Sequence, residues 1–421
     1  MTGKSTELER RNVPVLASQS VLSQVAWTMG SPSIVLPFLA VSLEMPMFLA
    51  GALVSVRQAG NMISDMFFAV PVSAKQQKKR SIALTEVAIG ACLLAAIVVA
   101  AIGGSPMVAA AFVLAFFAIG MIEEVQALMF TDLWGDHLRS KSRIWMSYLQ
   151  LGAGGLGAIG LTLTLHHLTS DNPPFSRHST VIAVSAGFFV LSGLSILALA
   201  ELSRSQPKAQ TGRRAAGQFL SDARAMFEFA WFRRYLTMRL PLVGVSLSVP
   251  FFALIAAEAH HGSAKGLTAL IISSATGYLV AAPLWQLVNM KSHRAVMVAG
   301  SLMVGVTGVV LVAVHYLNFD HDVHLHAIAL FVATVATTGI GSARKLYFID
   351  TAPKEQRVKA SAAIKSICRL VAIVGSAGLA AVAHMNEVAL AVAFLTLCSF
   401  WSAIACYRLV TPQPKDAERA T

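Results

Sequence analysis

Ionisable side chains stand inside long apolar runs of this sequence, among them Arg57, Asp65, Glu86, Glu123, Glu124, Arg239 and Arg369. Such groups are costly in hydrocarbon, so each must face protein or water, pair with an opposite charge, or bind a ligand. Arg57, Asn61 and Asp65 follow one another at intervals of four and therefore line one helix face. Arg57 suits two tasks: binding an anionic group, or neutralising a carboxylate as the protein changes state. A static ion pair with a neighbouring helix accounts for it equally well.

Glu123 and Glu124, with Gln126 close by, form a second cluster. Neighbours on a helix point ~100° apart, so one glutamate at most faces a given cavity. A carboxylate desolvated there can take up and release protons, which is the physical requirement for proton coupling. The competing assignment is a salt bridge to Arg239 or Arg369. Asp65, Glu86, Glu123 and Glu124 lie in the first half of the chain, Arg239 and Arg369 in the second. Opposite charges on two moving halves can close a gate. A solvated helix end serves Glu86 and Arg239 nearly as well. Ser20, Gln24 and Trp27 run at i, i+4 and i+7, a polar stripe with an aromatic ring that suits either a solute or a neighbouring helix.

Two further patterns invite a chemical reading. Histidines gather at His166–His167, His260–His261 and Asp320-His-Asp-Val-His-Leu-His326. His321, His324 and His326 are a candidate outer metal cluster; the expectation is no metal, because neutral histidine is an inexpensive polar residue where Lys and Arg are excluded. Gly152, Gly154 and Gly157 match G-x-G-x-x-G, but no strand precedes them, so close helix packing is expected instead of a dinucleotide. Neither H-E-x-x-H nor G-x-S-x-G occurs, and no cofactor is expected.

The elements that position these residues follow from composition. Of 421 residues, 56% are hydrophobic and only 13% charged, with mean hydropathy +0.65. Too few polar residues remain to cover a soluble surface, so the solvent is a lipid bilayer. The net charge of +12 sits in short segments between apolar runs, a pattern that orients a membrane protein and argues against nucleic-acid binding. The four cysteines lie within apolar runs, which implies no disulfide framework. The polar Met1–Leu16 segment contains no apolar core of a cleaved signal.

Runs long enough to cross a ~30 Å core occur near 17–40, 46–72, 81–102, 107–131, 143–166, 180–202, 235–258, 266–290, 294–316, 325–347, 360–384 and 387–409. The reading is an all-α polytopic membrane protein of about twelve spans. Its parts are a cytoplasmic segment 1–16, a six-helix half 17–202, a linker 203–234, a second six-helix half 235–409 and a cytoplasmic tail 410–421. Lys and Arg crowd alternate loops, while the others carry only Arg177 and Lys265, which places both termini in the cytoplasm of a plasma or inner membrane. In the linker, Phe219, Leu220, Ala223, Phe227, Ala230 and Trp231 recur at helical spacing, predicting a helix lying in the membrane interface. The halves echo each other at an offset of about 218 residues: Asp132 and Arg139 in the first correspond to Asp350 and Arg357 in the second, each followed by a small-residue helix, Gly152–Gly157 and Gly375–Gly378.

Two six-helix halves, a long inner linker and repeated Asp…Arg loops resemble the major facilitator superfamily. That family usually carries Gly-x-x-x-Asp-Arg-x-Gly-Arg-Arg between its second and third helices. Here Pro71-Val-Ser-Ala-Lys-Gln-Gln-Lys-Lys-Arg80 keeps the basic end and loses the glycines and aspartate, and Asn289 stands where the aspartate of the later loop would be. The resemblance implies a secondary transporter of a small organic solute, working by alternating access and driven by protons, with helices one, four, seven and ten around the cavity. Gln24, Trp27, Arg57, Asn61 and Gln126 are then expected to bind solute, and Asp65, Glu123, Glu124, Arg239 and Arg369 to couple protons or gate. Alternatives are a non-transporting sensor or assembly factor on the same scaffold, or a membrane-embedded enzyme.

Overall fold

A computed structural model describes residues 2–73, 77–138, 140–200, 223–319, 322–353, 355–385 and 387–410. Within them the chain is helical and has no strands, as lipid demands of any backbone that cannot bond to water. In chain order the helices are α1 (Thr2–Met29), α2 (Val35–Ser42), α3 (Met47–Ser73), α4 (Lys79–Ile102), α5 (Ser105–His137), α6 (Ser140–Thr169), α7 (Pro174–Ile196), α8 (Ala230–Arg239), α9 (Pro241–His260), α10 (Gly266–Asn289), α11 (His293–Tyr316), α12 (Val323–Thr351), α13 (Arg357–Met385) and α14 (Val388–Leu409).

Ten segments of the described residues are long and apolar enough to cross a membrane, α8 and α9 counting as one. α1 and α3, which carry the polar stripe and the Arg57–Asp65 face, fall outside that set. The sequence expectation is corrected in three places. The first run, 17–40, is two helices: α1 ends at Met29 and α2 starts at Val35. Pro32 lacks a donor and disfavours helix at Ser31, so the chain turns there. The helix also reaches back through the segment expected to precede it, starting at Thr2. In the linker, residues 203–222 lie outside the described residues. Of the expected interfacial helix, the part from Ala223 breaks at 227–229, and Ala230 and Trp231 begin α8, which leads at Pro241 into α9. Trp231 stacks edge-on against Phe232, itself fully buried, and donates from Nε1 to Gln356 Oε1 at 3.0 Å. Aromatic burial in the second half outweighs lying at the interface.

The repeat holds in packing. α3 lies on α5, α4 on α5 and α7, and α1 on α6 and α7; the same relations recur as α10 on α12, α11 on α12 and α14, and α9 on α14. Glycines at matching positions permit the close approach. A Cβ on Gly60 would meet the Phe117 carbonyl at 2.2 Å, and one on Gly277 would meet Thr334 Cβ at 2.9 Å. The halves join along α3 with α13 and α6 with α10, and α2 packs on α9. Gly152–Gly157 acts here as a packing surface. Gly154 stands against the Gln24 side chain and Gly155 against the Ala275 carbonyl of the other half. No dinucleotide loop is formed.

Candidate functional site

Close contact of α3 with α5 sets the geometry of the charges. Gly120 lets the Arg57 backbone lie on α5, where a Cβ would come within 2.2 Å of the Arg57 carbonyl. One turn further along α5, Glu123 meets the Arg57 guanidinium in a two-pronged pair: Nη2 to Oε1 at 2.7 Å and Nε to Oε2 at 2.9 Å. Arg57 Nη1 also donates to Ser33 Oγ at 3.3 Å. This geometry matches the planar fork of arginine and leaves its charge neutralised within the first half.

Glu124, pointing away from its neighbour, reaches the second half. Arg369 on α13 donates from Nη2 to Glu124, and from Nη1 to Asp65 and to the Asn61 carbonyl. Lys365, one turn earlier on α13, approaches Glu124 Oε1 at 3.4 Å. One guanidinium thus ties α3, α5 and α13 together. Arg369, Asp65 and Glu124 keep 13%, 17% and 11% of their side-chain surface exposed, which leaves little water to screen the attraction. Arg239 does not join them; it lies near Tyr235, Arg344, Cys368 and Cys406, with Nη1 buried and unpaired.

Beside this network lies a cavity of about 410 Å³ lined by Gln19, Ser20, Ser23, Trp27, Glu123, Gln126, Ala127, Phe130, Thr131, Trp134 and Gln150. Three helices build it: α1 supplies amides and hydroxyls, α5 the carboxylate and aromatics, α6 Gln150. Trp27 is held edge-on by Phe189, ring centroids 5.1 Å apart. Such a lining offers many hydrogen bonds and the aromatic rings of Trp27, Phe130 and Trp134, a combination that suits a small polar organic molecule.

Of the residues expected to bind solute, Trp27 and Gln126 line this cavity. Arg57 reaches its wall through Glu123. Gln24 sits behind the wall, accepting from Gln150 Nε2 at 3.3 Å and donating to Thr28 Oγ1 at 3.2 Å. Asn61 gives its backbone carbonyl to Arg369, and its side-chain oxygen is buried and unpaired. Sequence reasoning missed Gln19, Ser23 and Gln150. The first two follow the same i, i+4 signal as Ser20 and Gln24, displaced by one position, which a polar stripe this wide does not resolve.

The loop pairs divide. Asp132 (side chain) and Arg139 lie outside the described residues. Asp350 accepts from or donates to His293 Nε2 at 3.2 Å according to protonation, whereas Arg357 donates to the carbonyls of Ala352 and Ile349, capping the end of α12. Arg143 caps α5 in the same manner through the Leu138 carbonyl at 3.1 Å. In the first half, this capping arginine comes four positions after Arg139.

At the other end one histidine of the tract turns inward. His326 is buried and pairs with His260, Nδ1 to Nε2 at 3.1 Å, while His324 is exposed on the first turn of α12; His321 lies outside the described residues. Residues two apart on a helix diverge, so these two do not converge on one ion. No group of three metal-ligating side chains occurs among the described residues.

No family model matches the chain. An uncharacterized protein of Mycobacterium tuberculosis is 24% identical over 406 residues, spanning 94% of this chain and 76% of its own length. Among solved structures, a point mutant of the nucleoside transporter NupG superposes with a TM-score of 0.70 at 13% identity, over 95% of this chain and 100% of that chain. A POT family transporter solved with 5-aminolevulinic acid gives 0.71 at 10% identity, over 94% and 96%. Both are transporters, and their architecture is the one built here: this chain has the fold of the major facilitator superfamily transporters.

Proposed function

We propose that the protein is a secondary transporter that moves a small polar organic solute across a membrane by alternating access of its two halves. The observation that carries this reading is Arg369, an arginine of one half held by two carboxylates of the other beside a polar, aromatic-lined cavity. A charged contact across two bodies can form and break as they rock, which apolar packing does less readily. In this reading Asp65, Glu124, Lys365 and Arg369 close one end. Solute sits against Gln19, Ser23, Trp27, Gln126 and Gln150. The Arg57–Glu123 pair forms the floor, and a charged or zwitterionic solute competes for it. Full engagement of Glu123 and Glu124 by arginines favours gating over proton carriage for both.

α1 and α3 complete twelve spans in this reading, and loop charges place both termini on the cytoplasmic side of an inner or plasma membrane. NupG and the POT transporter carry a nucleoside and bind 5-aminolevulinic acid, solutes that are small, polar and hydrogen-bonding. The test is uptake into liposomes containing the purified chain, with labelled nucleosides, dipeptides, amino acids, sugars and organic anions. Uptake of one class, abolished by Arg369→Gln, supports the reading. Binding of a solute without flux in the wild type overturns it in favour of a sensor.

A further inference from the structure

Glu86 stands apart from the other acids of the first half. It is fully buried in α4, and among the described residues no charged side chain lies against it. The groups facing it are neutral from every element packed there: Gln19 and Ser23 from α1, Gln126 from α5 and Ser192 from α7. Its two oxygens are treated unequally. Oε1 accepts from Gln126 Nε2 at 2.8 Å, Gln19 Nε2 at 2.9 Å and Ser192 Oγ at 3.1 Å. Oε2 has no hydrogen-bond partner.

An ionised carboxylate spreads its charge over both oxygens and needs donors on both; a neutral acid has one carbonyl acceptor and one hydroxyl. Oε1 is supplied with donors as a carbonyl is, while Oε2 has none of the donors that the second oxygen of a carboxylate needs. An unpaired carboxylate in this setting would cost several kcal/mol. Three of its neighbours, Gln19, Ser23 and Gln126, are also walls of the cavity. Ser23 faces the carboxyl and also lines the cavity.

We infer that Glu86 is a proton-binding site coupled to the cavity, taking its proton from cavity water past Ser23 onto Oε2 and returning it by the same route. Ionisation draws donors toward Oε2, and the amides already bonded to the carboxyl are those of Gln19 and Gln126. Reorienting either one changes which hydrogen-bonding groups face the cavity. Proton and solute occupancy are thereby linked through two amide side chains, with no charge exposed to lipid. The inference deepens the transporter reading above by assigning the proton to a residue outside the arginine pairs.

The experiment is infrared difference spectroscopy of the purified full chain in lipid nanodiscs, titrated from acid to alkaline pH. The expected result is a protonated-carboxyl carbonyl band that disappears with rising pH, is absent in Glu86→Gln and persists in Glu123→Gln. Glutamine mimics the neutral acid, so the variant folds. Ser192→Ala keeps the acid, removes one donor from its carbonyl and shifts the band to higher frequency. A titrating band unchanged in Glu86→Gln, or no such band in the wild type, overturns the inference. The measurement needs no solute, so its failure is distinct from absence of flux in liposomes, which would count against the transporter reading alone.

Discussion

The two ends of the interface between the halves are held by different chemistry. Along α3 and α13, running antiparallel, Gly51 packs on Ala380, Ser55 Oγ meets Ser376 Oγ at 2.6 Å, and Asp65 meets Arg369. The contact passes from bare packing through hydroxyls to charge. At the Gly51 end, closure is by shape: Phe38 of α2 is fully buried, lies edge-on to His178 with centroids 5.1 Å apart, and abuts Gly266 of the other half. Arg177 adds a bond to the Gly262 carbonyl at 3.2 Å. At the Asp65 end, closure is by ion pairs. Packing holds a closed state through many small contacts, whereas a shared arginine concentrates it in one group. One end can therefore be released by a single electrostatic event, and the other only by separating a surface.

The sharpest way to break this contrast is Arg369→Ala, which leaves Asp65 and Glu124 buried without their shared partner. The expected loss is about 3–5 kcal/mol in unfolding free energy, read by chemical denaturation in lipid or detergent, with loss of flux. Adding Asp65→Asn and Glu124→Gln restores stability but not flux. Phe38→Ala tests the packed end: a loss of about 3 kcal/mol is expected from the cavity it leaves, insensitive to salt. Gly120→Ala places a methyl on the Arg57 carbonyl and should cost about 1–3 kcal/mol. Gly378→Ala, where nothing lies within 4 Å, serves as its control and should change stability by less than about 0.5 kcal/mol. The smallest effect belongs to the middle of the interface. A double-mutant cycle of Ser55→Ala and Ser376→Ala should give a coupling near ~0.6 kcal/mol, the usual yield of a hydrogen bond between membrane helices.

Much of the fold is readable from the sequence because lipid forces it: each apolar run became helical, and charge spacing put Arg57, Asn61 and Asp65 on one face. The in-span acids Asp65, Glu86, Glu123 and Glu124 of the first half, set against Arg239 and Arg369 of the second, also foreshadowed the Arg369 contact. What stayed hidden was partner choice. Glu123 and Glu124 are one residue apart, yet one pairs within its half and the other across; only the packing of α3 on α5, set by Gly60 and Gly120, decides which. Glu86 resembles a solvated helix end until α1 and α7 cover it. The His260–His326 pair joins residues 66 apart in sequence, beyond any local pattern. The break at Pro32 was signalled locally, but the apolar residues on both sides mask it in a hydropathy window.

The central claim is that Arg369 closes one end of the molecule. Pulsed electron-spin distance measurements between labels at the Asp65-side ends of α5 and α12 test it directly, with a second pair at the Phe38-side ends of α2 and α9. If the ion pairs are the closure, Arg369→Gln shifts the first distance distribution toward a longer, open population and leaves the second closed or tighter. An unchanged first distribution in a folded Arg369→Gln protein would contradict the account.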